Sequence, residues 1–164
     1  MSGDFKTLTG EQPAIIAHRG ASGYLPEHTL EAYTLAIDLG CDFIEPDLVF
    51  TKDGHLVVRH EGYLSPSTDV ADHPEFADRK KHSKTFGFED WFTEDFTLEE
   101  IKTLHARQAY PGRSREYDGK FLIPTFMEVL ELARAKSKEK ARPIGVYPET
   151  KHPGHYKKLG HDFA

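Results

Sequence analysis

The sequence predicts an α/β domain built on a parallel sheet, either an open four-stranded sheet or half of a (β/α)8 barrel of the TIM type. Three observations lead there. Short apolar runs that read as buried strands are separated by amphipathic segments that read as helices, the alternation that produces parallel sheets. Most of the strand-like runs end in ionisable residues, at the strand ends where parallel α/β folds build their sites. The 164 residues hold about four such strands, whereas a closed eight-stranded barrel takes roughly 250 residues.

Residues 14–18 (Ala-Ile-Ile-Ala-His) form the first strand, which stops at Arg19-Gly20 in a glycine-containing loop. Residues 29–39 put Leu30, Tyr33, Ala36 and Ile37 on one helical face, with Thr29 as N-cap and Gly40 as the C′ stop. Residues 41–50 read as the second strand. The turn Lys52-Asp53-Gly54 precedes a third strand over 55–60. His60 must return to the end of the sheet that holds Asp47. Residues 48–54 reach about 23 Å when extended, so no helix is expected between the second and third strands.

Segment 61–96 is polar and aperiodic, and reads as a lid or as an insertion with structure of its own. Thr97 with Glu100 and Thr125 with Glu128 are capping boxes that start helices over 98–106 and 126–136. The second helix carries a core stripe of Phe126, Val129, Leu130 and Ala133. A charged run then leads to a fourth strand over 144–147. Residues 1–164 therefore read as a single, truncated domain with an insertion after the third strand.

Composition narrows the function. Apolar residues are 38% and charged residues 29%, and the net charge is −6. That balance argues against a nucleic-acid partner, which selects a basic face. No apolar run approaches the ~18 residues of a membrane span. Residues 1–12 lack the apolar core of a signal peptide, an absence that favours the cytoplasm. The single cysteine, Cys41, excludes an internal disulfide and reads as a small buried residue.

The strand ends carry the chemistry. His18 and Arg19 close the first strand, Glu45 and Asp47 lie on the second, His60 and Glu61 close the third, and Glu149 and Lys151 follow the fourth. Glu45 and Asp47 are two residues apart, so an extended strand points both to one face. Two buried like charges are costly unless a cation lies between them. With Glu149 they form an all-oxygen set suited to Ca²⁺ or Mg²⁺ rather than zinc. The other reading is that these carboxylates pair with Arg19, Arg59 or Lys151. His18 and His60 are the candidate general acid and base, because imidazole titrates near neutrality. Arg19 offers a planar fork for phosphate oxygens. The other eight histidines, His28 among them, read as structural.

These residues stand in segments that resemble the glycerophosphodiester phosphodiesterase family: His18-Arg19-Gly20-Ala21, Pro26-Glu27-His28-Thr29, Glu45-Pro46-Asp47, Thr51-Lys52-Asp53-Gly54, Val57-Val58-Arg59-His60 and Pro148-Glu149-Thr150-Lys151. The resemblance runs from about residue 13 to residue 160. Segments 68–74 and 91–93 resemble the secreted or periplasmic branch, which implies export with a leader removed. The resemblance implies a (β/α)8 barrel with an inserted segment. It also implies metal-dependent hydrolysis of a small glycerophosphodiester to glycerol 3-phosphate and an alcohol. It assigns His18 and His60 to catalysis, Arg19 and Lys151 to the substrate, and Glu45, Asp47 and Glu149 to the metal. His28 stands where many members have Asn, and Glu61 where an Asp is common. On this reading Tyr63, Trp91 and Phe92 line the glycerol or head-group side. Alternatives are a phosphodiesterase acting on a polyglycerol-phosphate polymer or a lysophospholipid, and a non-catalytic half barrel whose open edges pair two copies into a homodimer.

Overall fold

Thr29 caps the first helix as its sequence requires, its side chain accepting the Ala32 N–H at 3.1 Å. In the computed structural model, which describes residues 6–164, that helix is α1 (Leu30–Asp38), following β1 (Ile16–His18). The first five residues of the stretch read for a leader lie outside the described residues. β2 (Phe43–Glu45) pairs parallel with β1, setting Ile16 opposite Phe43 and His18 opposite Glu45. Pro46, which has no N–H to give a ladder, divides the predicted second strand, and β3 (Asp47–Phe50) begins after it.

The third strand departs from expectation. β4 (Leu56–Val58) runs antiparallel to β3, with Leu48 opposite Val58. The connection is a tight turn in which the Thr51 N–H donates to the His55 carbonyl at 2.9 Å and Gly54 adopts φ +82°. A parallel return needs a crossover of a dozen or more residues, and residues 51–55 are too few. The expectation of no intervening helix holds, but the four strands do not form one parallel sheet.

Segment 61–96 has structure of its own: 3-10 turns at Val70–Asp72, Pro74–Arg79 and Thr93–Asp95, and a hairpin of β5 (Lys81–His82) with β6 (Glu89–Asp90). Trp91 and Phe92 do not line a site there. Trp91 donates its indole N–H to the Phe76 carbonyl at 2.6 Å inside an apolar cluster, and Phe92 is fully buried, stacked on Phe86. Tyr63 packs edge-on against Phe86 and Phe88. Burial thus takes up Trp91 and Phe92, whereas Tyr63 stays half-buried beside Glu61.

α2 spans only Leu98–Ile101 and stops short of the predicted 106. Its capping box forms, but bridges of Ala106 to Thr68 and of His105 to Leu122 pull the next residues into extended backbone. α3 (Phe126–Glu139) is capped by Thr125 and Glu128 as predicted and runs three residues further than the predicted 136. β7 (Gly145–Val146) joins β2 in parallel, β8 (Glu149–Thr150) joins β3 in parallel, and α4 (Pro153–Lys158) follows.

The result is a partial α/β barrel with mixed sheets, ordered β1-β2-β7 and β4-β3-β8. One face of the first sheet buries Ile44, with Ala17 and Val146 beside it, against Tyr33 and Ile37 of α1 and Val129 and Ala133 of α3. Strand alternation turns Ile16, Phe43 and Tyr147 to the other face, where they stay exposed. Among the described residues, no helix is long and apolar enough to cross a membrane.

Candidate active site

The turn after β1 fixes the first site residues. Arg19 and Gly20 both adopt left-handed backbone, at φ +61° and +78°. At Gly20 a Cβ would sit 2.8 Å from the Ala32 carbonyl carbon, so only glycine lets the turn approach α1 this closely. The turn leaves His18 exposed at the strand end and folds Arg19 inward.

Register then gathers the acids. Asp47 pairs with Glu149 across β3 and β8, and Glu45 precedes the Pro46 break. Carboxylate oxygens of Glu45, Asp47 and Glu149 all lie within 4.8 Å of one another, the first two residues buried and the third exposed. Cations surround them. Arg19 Nε lies 3.5 Å from Asp47 Oδ2, and Lys151 Nζ lies 3.2 Å from Asp47 Oδ1 and 2.7 Å from Glu149 Oε1. The acids cluster, and Asp47 also pairs with Arg19 and Lys151. Burial, then the neighbouring Asp47 and Glu149 charges, pushes the Glu45 carboxyl up. Asp47 goes the other way. Burial opposes its charge, but hydrogen bonding and charge from His28 and Lys151 hold it well below the carboxylate range. The two acids are thus driven apart in acidity, as happens where like charges share one buried site.

His60 is half-buried, with Nδ1 2.7 Å from Glu61 Oε1. It follows Arg59, whose N–H donates to the Asp47 carbonyl at 3.0 Å. The hairpin therefore returns His60 to the Asp47 level, as the sequence required. His18, opposite Glu45 in the ladder, stands at the same rim.

Four further residues join the site; the sequence reading left Glu27, His28 and Tyr110 out of it and named Arg59 only as an alternative partner of the carboxylates. Glu27 is buried and accepts Arg19 Nη1 at 3.1 Å, and Tyr110 Oη meets the same nitrogen at 2.8 Å. Burial alone would raise Glu27, but Arg59, His28 and Arg19 outweigh it and hold the carboxyl low. Arg59 is fully buried and donates to the Ser67 carbonyl at 3.3 Å. His28, read as structural, contacts Asp47 directly, and burial pushes it down to about 4. The signal for Glu27 and His28 was the ionisable pair preceding an N-cap. Tyr110, far along the chain in an irregular segment, had none.

Residues 18–162 match the sequence profile of the glycerophosphoryl diester phosphodiesterase family. The chain belongs to that family. Among members, the glycerophosphodiester phosphodiesterase GDPD6 of Arabidopsis thaliana is 48% identical over 150 residues, 90% of this chain and 39% of that protein. The glycerophosphodiester phosphodiesterase of Haemophilus influenzae is 40% identical over 161 residues, 92% of this chain and 42% of that protein. An Oleispira antarctica phosphodiesterase solved in complex with the product sn-glycerol-3-phosphate shares 27% identity at a TM-score of 0.59, covering 84% of this chain and 45% of that one. The chain spans about two fifths of the length of the curated relatives it matches.

Proposed function

We propose that this chain carries the cation-, phosphate- and proton-handling part of a glycerophosphodiester phosphodiesterase, which hydrolyses a glycerophosphodiester to glycerol 3-phosphate and an alcohol. The observation that carries it is the convergence of Glu45, Asp47 and Glu149 at strand ends that also hold His18, Arg19 and Lys151. Family membership supports it, as does the product seen in the Oleispira relative.

The donor set fits a hard divalent cation, Ca²⁺ or Mg²⁺. It offers three carboxylates and no thiolate, and Asp47 Oδ1 is buried with the Lys151 ammonium 3.2 Å away. Such an ion, when bound, neutralises phosphate oxygens and stabilises charge that grows on them in the transition state. Arg19 adds its guanidinium to the same oxygens, and Lys151 a second positive charge. Of His18 and His60, one takes a proton from the glycerol 2-hydroxyl or from water as that oxygen attacks phosphorus. The other gives a proton to the leaving alkoxide as its P–O bond breaks; where the 2-hydroxyl attacks, water then opens the resulting cyclic phosphodiester with the two proton roles exchanged, giving glycerol 3-phosphate. The segments at 68–74 and 91–93 support an exported member, a reading that fractionation of the native protein tests.

The test is release of glycerol 3-phosphate from glycerophosphocholine by the 164-residue chain, with calorimetric titration of Mg²⁺ and Ca²⁺ in parallel. Turnover abolished by chelator and restored by the ion supports the reading, and turnover indifferent to chelator refutes it. A second reading rests on the open sheet face. Ile16, Phe43 and Tyr147 are 49%, 38% and 60% exposed, and a second copy would cover them. On that reading the chain is an inactive half barrel that dimerises. Sedimentation as a monomer together with turnover counts against it.

A further inference from the structure

His28 occupies a position that neither acid–base catalysis nor ligation of the cation uses. It is 0% exposed, adopts left-handed backbone at φ +60°, and both ring nitrogens are engaged. Nδ1 lies 2.7 Å from Tyr33 Oη and Nε2 lies 2.9 Å from Asp47 Oδ2. An ionised carboxylate only accepts, so Nε2 carries the proton. Nδ1 is then an acceptor for the Tyr33 hydroxyl, at 2.7 Å the nearer of that hydroxyl's two acceptors, the other being the Glu45 carbonyl at 3.3 Å. A relay of two hydrogen bonds thus runs from the buried face of α1 to one oxygen of Asp47. Arg19 Nε approaches that same oxygen at 3.5 Å. The other oxygen, Oδ1, is buried, with the Lys151 ammonium 3.2 Å away.

We propose that His28 is a positioning residue for the cation site: by donating Nε2–H to Asp47 Oδ2 it fixes the carboxylate so that Oδ1 is the oxygen presented to the ion. The inference rests on the reading of Glu45, Asp47 and Glu149 as a cation site. Burial alone requires a polar partner on each nitrogen; what singles His28 out is that one of those partners is the Asp47 carboxylate. A histidine that ligated the ion would have to leave a nitrogen free for it. Groups that orient a ligating side chain in this way typically change metal affinity by roughly 10–100-fold when removed.

The experiment is Mn²⁺ binding to the chelator-stripped chain, read by the loss of the free-ion electron paramagnetic signal. His28→Leu keeps the volume and removes the donor, and is expected to weaken Mn²⁺ binding by about 10–100-fold. His28→Gln places an amide N–H at similar reach and is expected to recover most of that loss. Tyr33→Phe keeps the apolar packing but frees Nδ1, and is expected to weaken binding by a smaller factor. It keeps the proposal open to test if His28→Leu does not fold. Nitrogen chemical shifts of labelled histidine should show His28 protonated at Nε2 and bare at Nδ1. Affinities for His28→Leu and Tyr33→Phe equal to wild type would overturn the proposal, as would a Gln variant no better than Leu. Wild-type chain that binds Mn²⁺ while the variants bind equally well sinks the role of His28 alone. Wild-type chain that binds no Mn²⁺ sinks the cation site and this inference together.

Discussion

His18 is the residue at which chemistry and stability separate most cleanly. Its side chain is exposed at the end of β1, so removing it strips little packing. We expect His18→Ala to lower glycerol 3-phosphate release by about 10²–10⁴-fold, the usual worth of a positioned acid or base. The thermal midpoint should not move. A variant that turns over at the wild-type rate would remove His18 from the mechanism. Gly20 shows the converse. An added Cβ meets backbone of Ala32 at 2.8 Å, and φ is +78°. Gly20→Ala should destabilise by roughly 1–3 kcal/mol, seen as a lower urea midpoint. It should also impair activity, because the same turn aims Arg19.

Among elements, α2 is short enough to depend on its side-chain partners. Arg79 reaches Glu100 with two hydrogen bonds, Nη1 to Oε2 at 2.7 Å and Nη2 to Oε1 at 2.5 Å. Hydrogen bonding from Arg79, together with the Thr97 N–H, overcomes burial and pulls the Glu100 carboxyl down from its ordinary value to about 2. A depressed acid stabilises the fold above its unfolded pKa and loses that contribution as pH falls. The window here runs from about pH 4.5 down to about 2. Both partners are about a third exposed, so the contribution is small, under about 1 kcal/mol. Glu100→Gln keeps a side chain able to cap α2 and removes only the charge. Its stability deficit should be present at pH 7 and vanish progressively below pH 4.5, measured by thermal melts across pH. A deficit constant with pH would contradict the assignment. The boundary of α2 also shows why propensity misled: Thr97 and Glu100 begin a helix, but cross-chain bridges at Ala106 and His105 end it early.

At the scale of the whole molecule, one sheet face is covered by α1 and α3 and the opposite face is open. Tyr147 is 60% exposed there, so Tyr147→Ser should change stability by no more than about 0.5 kcal/mol. If two copies meet on this face, the same change should shift sedimentation toward monomer.

What the sequence by itself determined was local. Thr29, Thr125 with Glu128, and Thr97 with Glu100 capped the helices they announce, because a cap is settled within four residues. The site acids and His18, Arg19 and His60 were legible because ionisable groups interrupted apolar strands. Tertiary structure alone decided the rest. Packing drew Trp91 and Phe92 into a core, and burial placed His28, Glu27 and Tyr110 around Asp47 and Arg19. Those outcomes depend on which distant surfaces meet and exclude water, a property of the assembled chain that no short stretch encodes.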